Sequence, residues 1–448
     1  MSVTNISDRI ISFFIKKTMN QPHKSLYLIV RFVRFITKNP KIIGYFDSFL
    51  EYLKWNEDTI KRIYDSTNPL ILSRFFKIYI TRMHITGPSR RSALQEKLQI
   101  RTPDIIIGEL THRCNLKCTG CYSKINFNQN IDFIDWNNII AEAKQLGIFN
   151  VFWSGGEPLL EHRLLFKLAK QHPDIWFSVF TNGTLIDENI ARQCLLSRNV
   201  SFLVSINGTD NDRYRGKGSY KQIFKSMSIL KKQGIPFGVS VTVFRDNIQN
   251  STNDTFIKEC IKAGANFFMF FPFLPKNIYE HEKYAITPME REHLYKAVLS
   301  IRSRFRISAF YSHLNLMGAC AGGGRLIYIN VNGDIQPCPF TPFATHNVKD
   351  GLLNALNSNL HLEYSKRDIN HKDPLSMCYR LDHPLDLADI LNSSNAYPVD
   401  NLDKLFFLKP PESVLKYSSE WKLNSERLRS GMDGREMIKK LEVILNKE

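Results

Sequence analysis

The chain has 448 residues, of which 43 % are hydrophobic and 12 % aromatic, and a formal net charge of +17. That length supports two or three domains with cores of their own. Eight cysteines in so long a chain exclude a secreted disulfide scaffold, and their clustering points to metal chemistry in a reducing, cytoplasmic compartment.

The charge is uneven: residues 1–100 carry 17 Lys and Arg against 7 Asp and Glu. Bulky apolar residues interleave with the cations, as in Phe13-Phe14-Ile15-Lys16-Lys17 and in Leu28–Ile36. No small-residue cleavage site follows an apolar core, so no secretory signal is expected. The most apolar early run, Leu26–Ile36, is broken by Arg31 and Arg34 and is too short to span a bilayer. A helical block over 1–100 is predicted, with three uses open. It can cap the main domain, lie on an anionic membrane surface at the inner face of the membrane, or dock an acidic partner. No nucleic-acid partner is expected, because no helix-turn-helix or aromatic RNA-binding signature accompanies the charge. Gly87-Pro88-Ser89-Arg90-Arg91 reads as the boundary between this block and the main domain.

From about residue 104, strand-like and helix-like runs alternate. Strands are predicted at 104–111, 150–154, 175–181, 200–206, 236–244 and 265–272, and helices at 134–147, 161–171, 187–197, 219–234, 251–263 and 288–304. Nearly continuous apolar strands such as Phe267-Phe268-Met269-Phe270-Phe271 read as parallel strands buried on both faces by helices. Six such units predict an α/β fold, a partial (β/α)6 TIM-type barrel over 101–310 with its chemistry at the carboxyl ends of the strands.

Both notable motifs fall at such ends. After the first strand the chain reads CNLKCTGC, with Cys114, Cys118 and Cys121 spaced C-x3-C-x2-C; after the second comes Gly155-Gly156-Glu157-Pro158. Three thiolates this close can hold a cubane iron–sulfur cluster by three irons and leave the fourth open. The alternative is structural zinc, which wants four ligands; no fourth cysteine is near, and His112 adjoins the loop too closely for good chelate geometry. A glycine pair allows strained turns and close approach of the backbone to a ligand.

Past 310 the pattern changes. Arg325–Gln336 reads as a hairpin, with Asn332-Gly333 suited to a type I′ turn. Cys320 and Cys338 flank it, and Cys378 follows. A small hairpin unit is predicted over 311–385 and a helical tail over 386–448, with Met437, Ile438, Leu441, Ile444 and Leu445 forming one apolar stripe. Cys194 and Cys260 sit in helix patterns as ordinary core residues.

The cysteine spacing, together with the glycine motif some 30 residues later, resembles the radical S-adenosylmethionine (SAM) superfamily. The segment CAGGGRLIYINVNGDIQPC resembles the start of the SPASM/twitch auxiliary-cluster domain, without its later dense cysteine run. The resemblance covers roughly 100–380. It implies a 4Fe–4S cluster on Cys114, Cys118 and Cys121, SAM as co-substrate, and a low-potential reductant such as flavodoxin or ferredoxin. It further implies an auxiliary 4Fe–4S cluster on Cys320, Cys338 and Cys378, its fourth ligand drawn from His346, His371, Asp373 or the substrate; the alternative for Cys378 is a plain buried residue. For SAM it implies that Gly155, Gly156 and Glu157 hold the ammonium and that Ser205 and Asn207 lie at the ribose. Asn207 stands where the family often has Asp. Arg215 would pair with the SAM carboxylate or remain a solvated loop residue, with Asn182 and Thr242 as weaker contacts. Gly120 replaces an aromatic that often packs on adenine, and Tyr122 is expected to take over that contact. The implied activity is reductive SAM cleavage followed by hydrogen abstraction from a peptide or protein side chain. No β-rich leader-recognition module is apparent at the N-terminus. A lipid or polyprenyl substrate, and a non-catalytic iron–sulfur or zinc sensor or scaffold, are the alternatives.

Overall fold

The computed structural model describes residues 31, 50, 56–123, 130–312, 322, 324–368, 373–399 and 403–430. The Phe13–Lys17 run, the Leu28–Ile36 run apart from Arg31, Cys320, His371 and the stripe at 437–445 lie outside the described residues.

The alternating pattern folds as its periods dictate. Seven strands, β1 (Ile105–Thr111), β2 (Asn150–Gly155), β3 (Trp176–Thr181), β4 (Val200–Ser205), β5 (Phe237–Val243), β6 (Phe267–Pro272) and β7 (Ser308–Tyr311), lie parallel in chain order. The sheet thus runs one parallel strand beyond the six units legible in the sequence. Helices between the strands start on side-chain caps: Asp132 accepts from Asp135 N, Asp187 from Ile190 N, Asn253 from Phe256 N, and Thr287 forms a capping box with Glu290.

The two faces of the sheet differ. Val151, Phe177, Phe202, Val239 and Phe268 are at most 1 % exposed on the helix-covered face, each contributing about 1.5–3 kcal/mol by burial. On this face Gly108 makes room for Trp153 and Trp136, which would lie 2.6 and 2.7 Å from an added Cβ, and whose rings pack edge to face at 4.8 Å. The opposite face is not fully covered, contrary to the expectation of strands buried on both sides. Phe267, Met269 and Phe271 are only half-buried, and Phe152, Phe180 and Phe271 form a chain of ring contacts at 5.7 and 6.2 Å across it. A partial barrel leaves its interior face without a second packed layer.

The hairpin β8 (Leu326–Ile329) and β9 (Asp334–Gln336) extends this same sheet. β8 pairs parallel to β1, from Ile105 opposite Leu326 to Gly108 opposite Ile329, and β9 pairs antiparallel to β8. The two-residue strand His346–Asn347 closes the ten-stranded order. The turn is not the expected type I′. Only Gly333 has positive φ, at 86°; Gly333 N donates to Asn330 O and Asn330 N to Asp334 O, a three-residue loop ending in a glycine bulge. The Asn330 side chain selects this form by accepting from both Asn332 N and Asp334 N.

Before the barrel come the helix Glu57–Ser66 and one uninterrupted helical run, Pro69–Leu98, with a π-helical stretch at Ile78–Thr86. The expected boundary at Gly87–Arg91 is therefore inside a helix. Gly87 is there for contact, since an added Cβ would lie 2.7 Å from Gly147 O, and the chain leaves the helix at Gln99 with φ +57°. This block binds the starts of the barrel strands: Phe75 packs on Trp176 at 4.9 Å, Asn68 N donates to Gly234 O, and Ser308 N to Thr59 Oγ1. Its described part caps the end of the barrel opposite the cysteine loop.

The chain's C-terminal side clasps the barrel through one buried ion pair. Arg291, on the helix Pro288–Phe305, pairs with Asp382 with both side chains fully buried. Its Nε donates to Tyr311 Oη at 2.7 Å, and its guanidinium lies 3.9 Å from the Trp421 ring. Trp421, on the helix Glu412–Ser430, donates through Nε1 to Leu375 O at 2.9 Å. Among the described residues no helix is long and apolar enough to cross a membrane.

Candidate active site

Four strand ends converge at the carboxyl edge of the barrel. The loop after β1 carries Cys114, exposed, with Cys118 and Cys121 half-buried. Burial raises the Cys114 thiol, and the neighbouring Glu157, Cys118 and Cys121 add to the rise, so the three sulfurs share one electrostatic neighbourhood. Leu116 N lies 3.4 Å from Cys114 Sγ and donates to it, as does Asn182 Nδ2 at 3.8 Å; donors aimed at sulfur tune iron–sulfur clusters. Asn182 also donates to Asn115 Oδ1 at 2.9 Å, so the end of β3 props the start of the cysteine loop. Among the described residues no three His, Cys, Asp or Glu side chains converge closely enough for one metal ion. Thiolates that each ligate a separate iron stand further apart, and an all-cysteine donor set fits a cluster.

The glycine pair after β2 serves this loop directly. Gly155 has φ +115°, and an added Cβ would sit 2.4 Å from Thr111 O; at Gly156 it would sit 2.1 Å from Arg113 O. Gly156 N and Glu157 N donate to Thr111 O and Arg113 O, both at 2.8 Å. The close approach anticipated toward a ligand is an approach to the cysteine loop's own backbone.

Glu157 is engaged by the protein itself. Its carboxylate is completely buried and already accepts from Leu159 N at 3.0 Å, Thr181 Oγ1 at 2.8 Å and Asn182 N at 2.7 Å. Burial pushes its pKa up to about 7, against those three donors and nearby Arg215. It ties the end of β2 to the end of β3.

Beyond β4, Ser205 is half-buried and Asn207 is buried. Arg215, half-buried, donates to Asn207 Oδ1 through Nε at 3.3 Å and Nη2 at 3.0 Å. Thr242 contributes its carbonyl to Asn247 Nδ2 at 3.1 Å. Thr119 N donates to Tyr214 O at 2.9 Å, and Gly120 lies under the stacked rings of Phe273, Phe244 and Tyr214; its added Cβ would meet Phe273 at 2.6 Å. Tyr122 packs toward the C-terminal part of the chain. Its ring meets Phe340 at 5.5 Å, and burial raises the pKa of its hydroxyl.

Tyr122 lines a cleft of about 450 Å³, space open to solvent included, together with Glu109, Lys276, Tyr328, Phe340 and Arg380. Sequence reading missed Glu109, although it is the only charged residue in Ile105–Thr111. It accepts from Ser123 Oγ at 3.0 Å and Val331 N at 3.3 Å, and burial pushes it up to about 7. Lys276 and Arg380 carried no periodic or motif signal. Cys338 and Cys378 are half-buried, and burial pushes the Cys378 thiol up to about 12, with Asp382 and Cys338 adding. Of the other ligand candidates, Asp373 is engaged by Ser425 Oγ at 2.7 Å and Leu375 N at 3.0 Å, and His346 bonds Thr345.

Residues 109–257 match the radical SAM superfamily. An uncharacterized protein of Methanocaldococcus jannaschii is 31 % identical over 255 residues, covering 52 % of this chain and 84 % of its own length. The PqqA peptide cyclase of Granulibacter bethesdensis is 26 % identical over 159 residues, 34 % of this chain and 42 % of the cyclase. Among solved structures, Streptococcus suis SuiB bound to precursor peptide SuiA superposes with a TM-score of 0.54 at 18 % identity, covering 66 % of this chain and 76 % of SuiB. The partial barrel agrees with the likeness to the SuiB structure, and the cysteine loop and glycine clamp lie within the matched residues 109–257. The chain belongs to the radical SAM superfamily.

Proposed function

We propose that this enzyme acts on a peptide or protein side chain held between two iron–sulfur clusters. When bound at Cys114, Cys118 and Cys121, the cluster and SAM supply reductive cleavage to methionine and a 5′-deoxyadenosyl radical that takes hydrogen from the substrate. The chain's own residues place the reactants. The Gly155–Glu157 segment fixes the cysteine loop through two backbone hydrogen bonds. Asn182 donates to Cys114 Sγ, and the Asn207–Arg215 pair presents a cation beside Glu157 where a SAM carboxylate would be met. Ser205 at the end of β4 and the Gly155 and Gly156 backbone complete the SAM contacts in this reading.

One observation carries the substrate position. The cleft is walled by Tyr122 and Ser123, which follow Cys121, and by Pro339, Phe340 and Arg380, which follow Cys338 and Cys378. In this reading a side chain there lies between the SAM site and an auxiliary 4Fe–4S cluster held by Cys338 and Cys378, with Cys320 the further ligand expected from the sequence. A peptide substrate is supported by the likeness to the peptide cyclase and to the SuiB complex. Electrons come from a flavodoxin- or ferredoxin-type reductant.

The test is anaerobic reconstitution with iron and sulfide, reduction with SAM, and assay for 5′-deoxyadenosine. Cys118→Ala is expected to abolish the product. Cys338→Ala is expected to lower iron content while retaining part of the SAM cleavage. Normal turnover in the first variant would refute the site, and unchanged iron in the second would refute the auxiliary cluster.

A further inference from the structure

The cleft contains a cation whose hydrogen-bonding capacity is only partly used. Arg380 is 6 % exposed. Its Nη1 donates to Phe340 O at 2.6 Å, and its guanidinium lies over the Phe407 ring at 4.5 Å and the Phe406 ring at 5.6 Å. Among the described residues, the buried Nε and Nη2 have no hydrogen-bond partner. Buried donors left unmet are destabilising, so a protein keeps such an arrangement where a ligand completes it. Nε and Nη2 form one edge of the planar guanidinium, the edge that a carboxylate meets side-on with two parallel hydrogen bonds. Two aromatic rings behind the guanidinium hold that edge in place.

The rest of the cleft suits an anion. Lys276 lines the same space, its Nζ held by Tyr122 O at 2.8 Å. Glu109 is the one carboxyl group among the described lining residues, and burial favours its neutral form. Tyr122, Tyr328 and Phe340 supply the apolar walls.

We propose that Arg380 and Lys276 form a carboxylate-binding subsite that anchors an acidic side chain or the C-terminal carboxylate of the substrate in the cleft beside the cysteine loop. The subsite deepens the peptide reading above and rests on it. The apolar walls take the methylene stem of the anchored residue. An anchor at Arg380 sets which neighbouring residue of the substrate reaches the SAM site.

The experiment titrates the full, cluster-loaded chain by calorimetry with three probes. N-acetylglutamate α-methylamide carries a side-chain carboxylate, N-acetylalanine a terminal one, and N-acetylglutamine methylamide none. At least one acidic probe is expected to bind tenfold or more tightly than the neutral amide, and the one that does identifies the source of the carboxylate. Arg380→Gln and Lys276→Met are each expected to weaken that probe tenfold or more. Because Arg380→Gln also removes the bond to Phe340 O, Lys276→Met is an independent arm. Arg380→Lys, which keeps the charge without the fork, falls between. Equal affinity for acidic and neutral probes, or acidic binding indifferent to both variants, overturns the proposal. Binding seen only in iron-free protein also overturns it, by assigning Arg380 to the neighbouring cysteines. Formation of 5′-deoxyadenosine by the unaltered chain is read separately. Acidic-probe binding without that product leaves the subsite and removes the function; product without selective binding does the reverse.

Discussion

Gly156→Ala is the sharpest perturbation of the cysteine loop. The added methyl carbon would lie 2.1 Å from Arg113 O and 2.5 Å from His112 O, where real Cβ contacts stay beyond 3.0 Å. The loop must therefore retreat by at least about 0.9 Å, the difference between 3.0 and 2.1 Å. Neighbours cannot absorb the shift, because the opposing atoms are backbone. Retreat breaks the bonds from Gly156 N to Thr111 O and from Glu157 N to Arg113 O, at about 1 kcal/mol each, with about 1–3 kcal/mol of overpacking added. The expected loss is thus about 3–5 kcal/mol of unfolding free energy, read by urea denaturation of the unreconstituted chain. A displacement near 1 Å at a reacting centre costs on the order of a hundredfold in rate, so 5′-deoxyadenosine formation should fall by about that factor. Wild-type stability together with wild-type product formation would refute the clamp.

The remaining predictions concern the buried charges. Glu157 titrates near 7 in the folded chain against an ordinary 4.5, so the folded state holds this proton more tightly. Its contribution is complete below about pH 4.5 and is lost as pH rises through about 7, by ~3 kcal/mol in all. Buried His84, His172 and His361, each lowered to about 4, drive the opposite trend, so Glu157→Gln is compared with the unaltered chain at each pH. The variant should be ~3 kcal/mol better off, relative to wild type, at pH 8 than at pH 5; a difference independent of pH would contradict the assignment. Asp382→Asn strands the buried Arg291 guanidinium without its counter-charge and should cost about 3–5 kcal/mol, whereas the joint Arg291→Met, Asp382→Leu replacement should recover most of that. A cost below 1 kcal/mol for the single variant in urea denaturation would show that the pair does not hold the clasp.

The range of the forces involved explains how much was legible. Strand and helix periods from 104 to 305 are local, and the elements predicted there form within a few residues of their expected ends. Cys114, Cys118 and Cys121 fall in one short loop, so their joint placement needs only the strand before them. The turn at 330–333 was misjudged because Asn330, outside the Asn332-Gly333 pair, decides its form through its side chain. Gly87 looked like a break but is a contact point with Gly147, a residue 60 positions away. The role of Glu157 depends on donors from β3 that no spacing announces.

By itself, the sequence determined the α/β barrel through two hydrophobic periods and the class of chemistry through a family resemblance carried by short motifs, and both rest on short-range order. Only the tertiary structure decided that the hairpin joins the barrel sheet beside β1 and that the described N-terminal helices close the far end of the barrel. It alone brought Glu109, Lys276 and Arg380 to one cleft. Those residues lie up to 271 positions apart in the chain. Their meeting is set by the closing of the sheet and by a buried Arg291–Asp382 pair, long-range packing for which a single sequence carries no periodic signal.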